Sequence, residues 1–298
     1  RAGSPHVFWR ILTARSRPML ALKSLLVVVL LFLGAVRLVE STHVLSLPEA
    51  YHKDFLQEWL LGRAARLGVS PYQPISRLAQ LLIGDLPVVV FPHPTPHPPA
   101  VVLLSLPLGL LDYQAAVVVW FVLELLFILV AMALFLRWLG RPAPAWLVAG
   151  LGVIALDWGP LWEGLLLGQL LTLLLVLFLG AWLALRPAAG GRGRERPVLG
   201  GALLGAAIAC KLFAWPIVLY LALRRNWRAV FAAGGAFAVA NLLAAAVIGP
   251  GAIVDYYRLT SAAVVPFYRA HFANISAGSL GWRLFSGTGS TLLSGVSA

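Results

Sequence analysis

The sequence predicts an all-α polytopic membrane protein, and three observations carry that prediction. Of its 298 residues, 60% are hydrophobic and 11% charged, against roughly 45–50% and about 25% in soluble domains. The mean hydropathy is +0.88. The apolar residues are also gathered into runs near the length of about 20 residues that crosses a hydrocarbon core. One soluble core cannot enclose so much apolar surface. An ordinary cytosolic enzyme, a disordered chain and a disulfide scaffold are therefore excluded, and Cys210 stands alone without an internal partner. The chain begins at Arg1 and ends in a Gly/Ser-rich stretch. It reads as a fragment, a single membrane domain over 1–298 whose span count is a lower bound.

The first predicted span is 20–39, too long and too far from an Ala-x-Ala cleavage site for a removed signal peptide. An outer loop follows over 40–113, longer than a plain connector needs. Within it, DFLQEWLLGRAARLG (54–68) places Phe55, Leu56, Trp59, Leu60 and Leu67 at helical spacing. That pattern predicts an amphipathic interfacial helix on the membrane surface, with Arg63 and Arg66 turned to water or headgroups and Gly68 as its stop. The stretch 99–111 is short and proline-bearing, so it is expected to be re-entrant or interfacial. Further spans are predicted at 114–136, 143–160, 168–185 and 229–248. Between two basic clusters, 198–223 is too short for two crossings. It predicts a helical hairpin bent near Lys211 and Pro216. Residues 249–298 form a last outer segment.

Charge orients these elements. Segments 1–23, 137–141, 186–196 and 224–228 hold 14 Lys/Arg and one acid, Glu195, whereas 40–113, 157–169 and 249–298 hold seven Lys/Arg and nine Asp/Glu. By the positive-inside rule the first set is cytosolic and the second external. The net charge of +12 is then an orientation signal, and nucleic acid is not an expected partner.

Ionisable groups at membrane depth or at its edge are functional candidates. Asp54 opens the 54–68 helix. It reads either as a charge complementing the helix N-terminus or as a general base that takes a proton from an acceptor hydroxyl. His93 and His97 lie in FPHPTPHPPA, where the prolines forbid the helical spacing of a zinc pair. Interfacial anchoring or substrate hydrogen bonding suits them better than a metal, and no metal site is expected. Gln169 stands at the mouth of a Leu-rich span, where its amide needs a partner. Lys211, in AIACKLFAWP, is either a snorkelling lysine or a cation held for an anionic ligand such as a lipid phosphate. Arg269, His271 and Arg283 add cationic and hydrogen-bonding groups on the same outer face. Asn274-Ile275-Ser276 matches a glycosylation sequon only formally, because the Ala/Leu/Arg/Gly-rich composition looks bacterial. Glu124, inside 114–136, needs a partner, for which Arg37 of the first span is the candidate.

Several of these segments, in this order, resemble glycosyltransferase family 87. They are DFLQEWLLGRAARLGVSPY with its acid and Gly-x-x-Pro-Tyr ending, HPPAVVLLSLPLGLL, the Gly168-Gln169 pair, GGALLGAAIACKLFAWPIVLYLALRRNWRA, and NISAGSLGWRLF. The resemblance covers roughly 20–285. It implies a C-type glycosyltransferase helical bundle and transfer of a sugar, mannose or a pentose such as arabinofuranose, from a polyprenyl-phosphate donor. The acceptor would be a glycan or glycolipid at the outer face of the cytoplasmic membrane. It further implies Asp54 as the catalytic base, Asn274 and Arg283 in an Asn-x-Ser…Arg element, and no cofactor beyond the donor itself. The rival readings are a lipid or solute transporter and a non-catalytic subunit. Transporters commonly carry internal repeats and paired broken helices at the midplane. This sequence has no repeat, and its polar candidates gather at one face.

Overall fold

The computed structural model describes residues 17–139, 145–186, 195–269 and 277–285, and among them the chain is helical apart from turns and one isolated antiparallel bridge between Pro74 and Pro94. The helices are α1 (Arg17–Leu45), α2 (Phe55–Arg66), α3 (Ile75–Leu82), α4 (Val101–Leu108), α5 (Tyr113–Trp138), α6 (Ala145–Leu156), α7 (Gly159–Leu167) and α8 (Leu171–Leu185). They continue as α9 (Pro197–Cys210), α10 (Trp215–Leu223), α11 (Trp227–Ile248), α12 (Pro250–Asp255), α13 (Ser261–Arg269) and α14 (Ala277–Phe285). A π-helical turn, Tyr256–Thr260, joins α12 to α13.

Among the described residues, three stretches are long and apolar enough to cross a membrane: Leu20–Leu45, Tyr113–Trp138 and Trp227–Ile248. The span on α1 presents its leucines and valines outward along nearly its whole length, as a helix facing lipid does. Two expected spans come out differently. The 143–160 stretch is broken at Asp157-Trp158, because Gly159-Pro160 starts a new helix, and α6 has 12 residues. The 168–185 stretch yields the 15-residue α8. At 1.5 Å per residue these helices are about 18 and 22 Å long, short of a hydrocarbon core of about 30 Å.

Around 198–223 the helix register decides the path. A Cβ on Gly201 would lie 2.1 Å from the Ala229 carbonyl oxygen, and one on Gly205 would lie 2.2 Å from that of Ala233. Position 201 thus faces 229 and 205 faces 233, so α9 and α11 run parallel at backbone contact. Parallel neighbours require the chain to come back between them. It does so through the break at Lys211, whose backbone is extended, and the short α10. Glycine and alanine four residues apart on both helices permit this approach, which in lipid gains from dispersion contacts rather than from the hydrophobic effect.

The 54–68 helix is more enclosed by protein than its one apolar stripe implies: α2 buries Phe55, Leu56, Gln57, Glu58, Trp59, Leu60, Leu61, Gly62 and Ala64. One side rests on α4, where Gly62 meets the backbone of Ser105 and Gly109 closely enough that a Cβ on Gly62 would overlap the Ser105 carbonyl. Another side stacks on α5, with Phe55 5.6 Å from the Trp120 ring and Trp59 edge-on to Tyr113 at 5.5 Å. Arg63 donates to the Gly109 carbonyl at 3.1 Å, and Arg66 alone of the two arginines is exposed. The apolar stripe read from the sequence is real. Its polar flank is covered by α4 and the 91–100 segment, which no periodicity in α2 itself announces. The helix does end at Gly68, in the left-handed region at φ +68.

Candidate active site

The site forms where the head of α2 meets the turn between α7 and α8. Asp54 precedes α2, yet its carboxylate makes no capping bond to the helix N-terminus. It accepts instead from Gln169 Nε2 at 2.6 Å, across 115 residues of sequence. Gln169 is presented by Gly168, which closes α7 at φ +70 and sits so close to α2 that a Cβ there would lie 2.8 Å from that of Phe55. Only glycine satisfies both the left-handed backbone and the contact. Trp120 Nε1 donates to the Gly168 carbonyl at 2.9 Å, and Lys53 Nζ donates to the Leu166 carbonyl.

Lys53 is 5% exposed. Burial pulls its ammonium down from 10.5 to about 8, against the opposing pull of the Glu124 and Asp54 carboxylates. Tyr268, on α13, also faces this end. Its phenol is held above the ordinary range first by burial and then by the negative charge of Asp54. The ring of His93 meets Tyr268 edge-on at 5.3 Å and stacks on Phe91 at 5.1 Å, while His93 Nδ1 lies 2.7 Å from the Pro94 carbonyl oxygen. Gln169 is thus brought to Asp54 from far along the sequence and Lys53 to the same turn, while His93 packs on Tyr268. Lys53 was legible only as a lysine beside the candidate acid, and Tyr268 only as a neighbour of Arg269.

The other candidates are placed as follows. His97 is buried and points Nε2 at Glu58 Oε1, 3.1 Å away. Glu58, one turn beyond Asp54, is 2% exposed and is enclosed with that histidine rather than open to substrate. Lys211 is partly exposed at the break after α9. Its neighbours Cys210 and Leu212 pack in the apolar cluster that also holds Phe55, Trp120 and Leu170. Arg283 lies on α14, which is tied to α13 by the Ser279 hydroxyl donating to the Arg269 carbonyl at 2.8 Å. His271 and Asn274 lie outside the described residues. The expected Glu124–Arg37 pair is not made. Arg37 is engaged by Asp157 at 2.9 Å and Glu40 at 2.8 Å, and its guanidinium lies over the Trp162 ring. Glu124 is buried instead, and neither of its carboxyl oxygens has a hydrogen-bond partner among the described residues. Among the described residues no group of three His, Cys, Asp or Glu side chains could hold a metal ion.

A family model for glycosyltransferase family 87 matches residues 96–298, more than half of the chain. The chain belongs to glycosyltransferase family 87. No curated protein and no solved structure matches it. With its apolar spanning helices, this family 87 member is a membrane glycosyltransferase. The matched region contains Gln169, Lys211 and Tyr268 but begins after Asp54. In this family 87 chain the carboxylate therefore joins the site through geometry, by way of its bond to Gln169.

Proposed function

We propose that the protein moves a sugar, mannose or a pentose such as arabinofuranose, from a polyprenyl-phosphate donor to a glycan or glycolipid acceptor at the outer face of the cytoplasmic membrane. Asp54 is the base. The observation that carries this assignment is that its carboxylate, although at a helix N-terminus, is not used to cap it and is aimed by the Gln169 amide. In the reaction the acceptor oxygen attacks the anomeric carbon and its proton passes to Asp54. The bond from that carbon to the phosphate oxygen breaks, and the electron pair leaves with the lipid phosphate. Attack from the face opposite the leaving group inverts the anomeric centre. A lipid phosphate departs as an anion, so no second acid has to protonate it. Cations suffice, and Lys211 supplies one at the bend after α9, with Arg283 and His271 the further candidates from the sequence.

The grouping of segments supports that sidedness. Arg37–Asp157, Gln169–Asp54 and the Tyr256 hydroxyl donating to the Pro96 carbonyl at 2.9 Å draw the external set together. At the opposite end, the Arg196 amide donates to the Ala184 carbonyl at 2.8 Å, and the parallel register sets Arg196 beside the 224–228 cluster. The deciding experiment incubates purified protein with radiolabelled polyprenyl-phosphate mannose or arabinofuranose and a membrane glycan acceptor. Transfer that disappears in Asp54→Asn is the expected result. Absence of transfer from both donors sinks the proposal.

A further inference from the structure

The turn that presents Gln169 is the last turn of α7, and its carbonyls need partners. The Gly168 and Gln169 amides close back on Leu165 and Gly164 at 3.1 and 2.9 Å. Leu166 and Gly168 then still offer their carbonyl oxygens at a helix C-terminus, where a cation is favoured. Lys53 takes the first and Trp120 the second. A lysine ammonium this deeply enclosed is costly without a counter-charge. Its acceptor is the Leu166 carbonyl, and the adjacent Asp54 carboxylate opposes the cost of burying the charge.

We infer that Lys53 is the positioning residue of the site: it clamps the Leu166 carbonyl and so fixes the turn from which Gln169 aims the Asp54 carboxylate. The inference rests on Asp54 being the base. Lys53 and Asp54 are adjacent, one holding the turn and the other receiving the amide that the turn carries. The α7–α8 turn and the head of α2 are thereby locked at two points. Loss of either lock lets the carboxylate swing, and a misplacement of about 1 Å costs on the order of 10²-fold in rate.

The test measures turnover and donor KM for Lys53→Met, Lys53→Arg, Gln169→Ala and the Lys53→Met/Gln169→Ala double variant, with labelled polyprenyl-phosphate sugar as probe. Lys53→Met should lower turnover roughly 10- to 100-fold with donor KM unchanged, and Lys53→Arg should recover part of the loss. The double variant should fall no further than the worse single one, because both substitutions release the same carboxylate. A structural defect alone would lower the amount of folded protein without producing that non-additivity. Should Lys53→Met not fold, Lys53→Gln keeps a hydrogen-bond donor on a shorter stem and weakens the clamp, with a milder loss that is again not additive with Gln169→Ala. Multiplying losses, or a folded Lys53→Met enzyme at the unmodified rate, overturns the inference. Full activity in Asp54→Asn would instead overturn the assignment of the base.

Discussion

Asp54→Asn keeps the size of the side chain and removes the proton acceptor, so turnover should fall about 10²–10⁴-fold, the usual contribution of a general base, while donor binding persists. Glu58→Gln is the control. Glu58 is enclosed against His97, so its amide should alter stability before turnover, and an equal loss of rate in both variants would reassign the base. Lys211→Ala should weaken donor binding, read as a rise in KM, with Lys211→Arg retaining part of it; unchanged donor affinity would remove Lys211 from the phosphate site. Lys53 has a consequence for stability as well. Its ammonium titrates at about 8 in the folded chain, against 10.5 for the free group. Below pH 8 both states are protonated and the folded one bears the full cost of the buried charge. Between about 8 and 10.5 the folded chain has released a proton that the unfolded chain retains, so stability rises with pH. The change in melting temperature in detergent from pH 7.5 to 9.5 should be more positive in the unmodified protein than in Lys53→Met, which removes this contribution.

At the scale of the element, the parallel α9–α11 pair is sensitive to a single atom. Gly205 has the Ala233 carbonyl 2.2 Å from where a Cβ would stand, and backbone cannot move aside as a side-chain tip does. Gly205→Leu should therefore separate the helices and destabilise the fold by about 1–3 kcal/mol or more. A lower melting temperature and less monodisperse protein on size exclusion are the readouts. Gly234→Ala is the comparison, since nothing lies within 4 Å of that position's Cβ site, and it should be neutral. The bend at Lys211 depends on this packing, so donor KM should rise in Gly205→Leu as well.

For the whole molecule, the expected sidedness is open to chemical labelling. Cys210 is the only cysteine and is buried, so a Cys210→Ser background accepts single reporters. His52→Cys and Arg225→Cys both fall on exposed positions. A membrane-impermeant maleimide applied to intact spheroplasts should label the first and not the second. Labelling of both from one side would discard the orientation derived from charge.

The sequence by itself determined the class of molecule, because burial of apolar surface in lipid follows from composition and run length alone. It also determined which polar residues were out of place, since an ionisable group amid leucines is conspicuous without coordinates. Asp54, Gln169 and Lys211 were legible in that way. Which of them meet was not legible. Gln169 reaches Asp54 across 115 positions, and no periodicity encodes a contact of that separation. The burial of α2 was hidden for the same reason. A hydrophobic stripe reports one covered face, and the second cover comes from α4, a different segment packed through Gly62 and Gly109. Tertiary structure alone decided that Arg37 serves Asp157 and not Glu124, because a charge takes whichever counter-charge the packing delivers, not the one nearest in the order of spans.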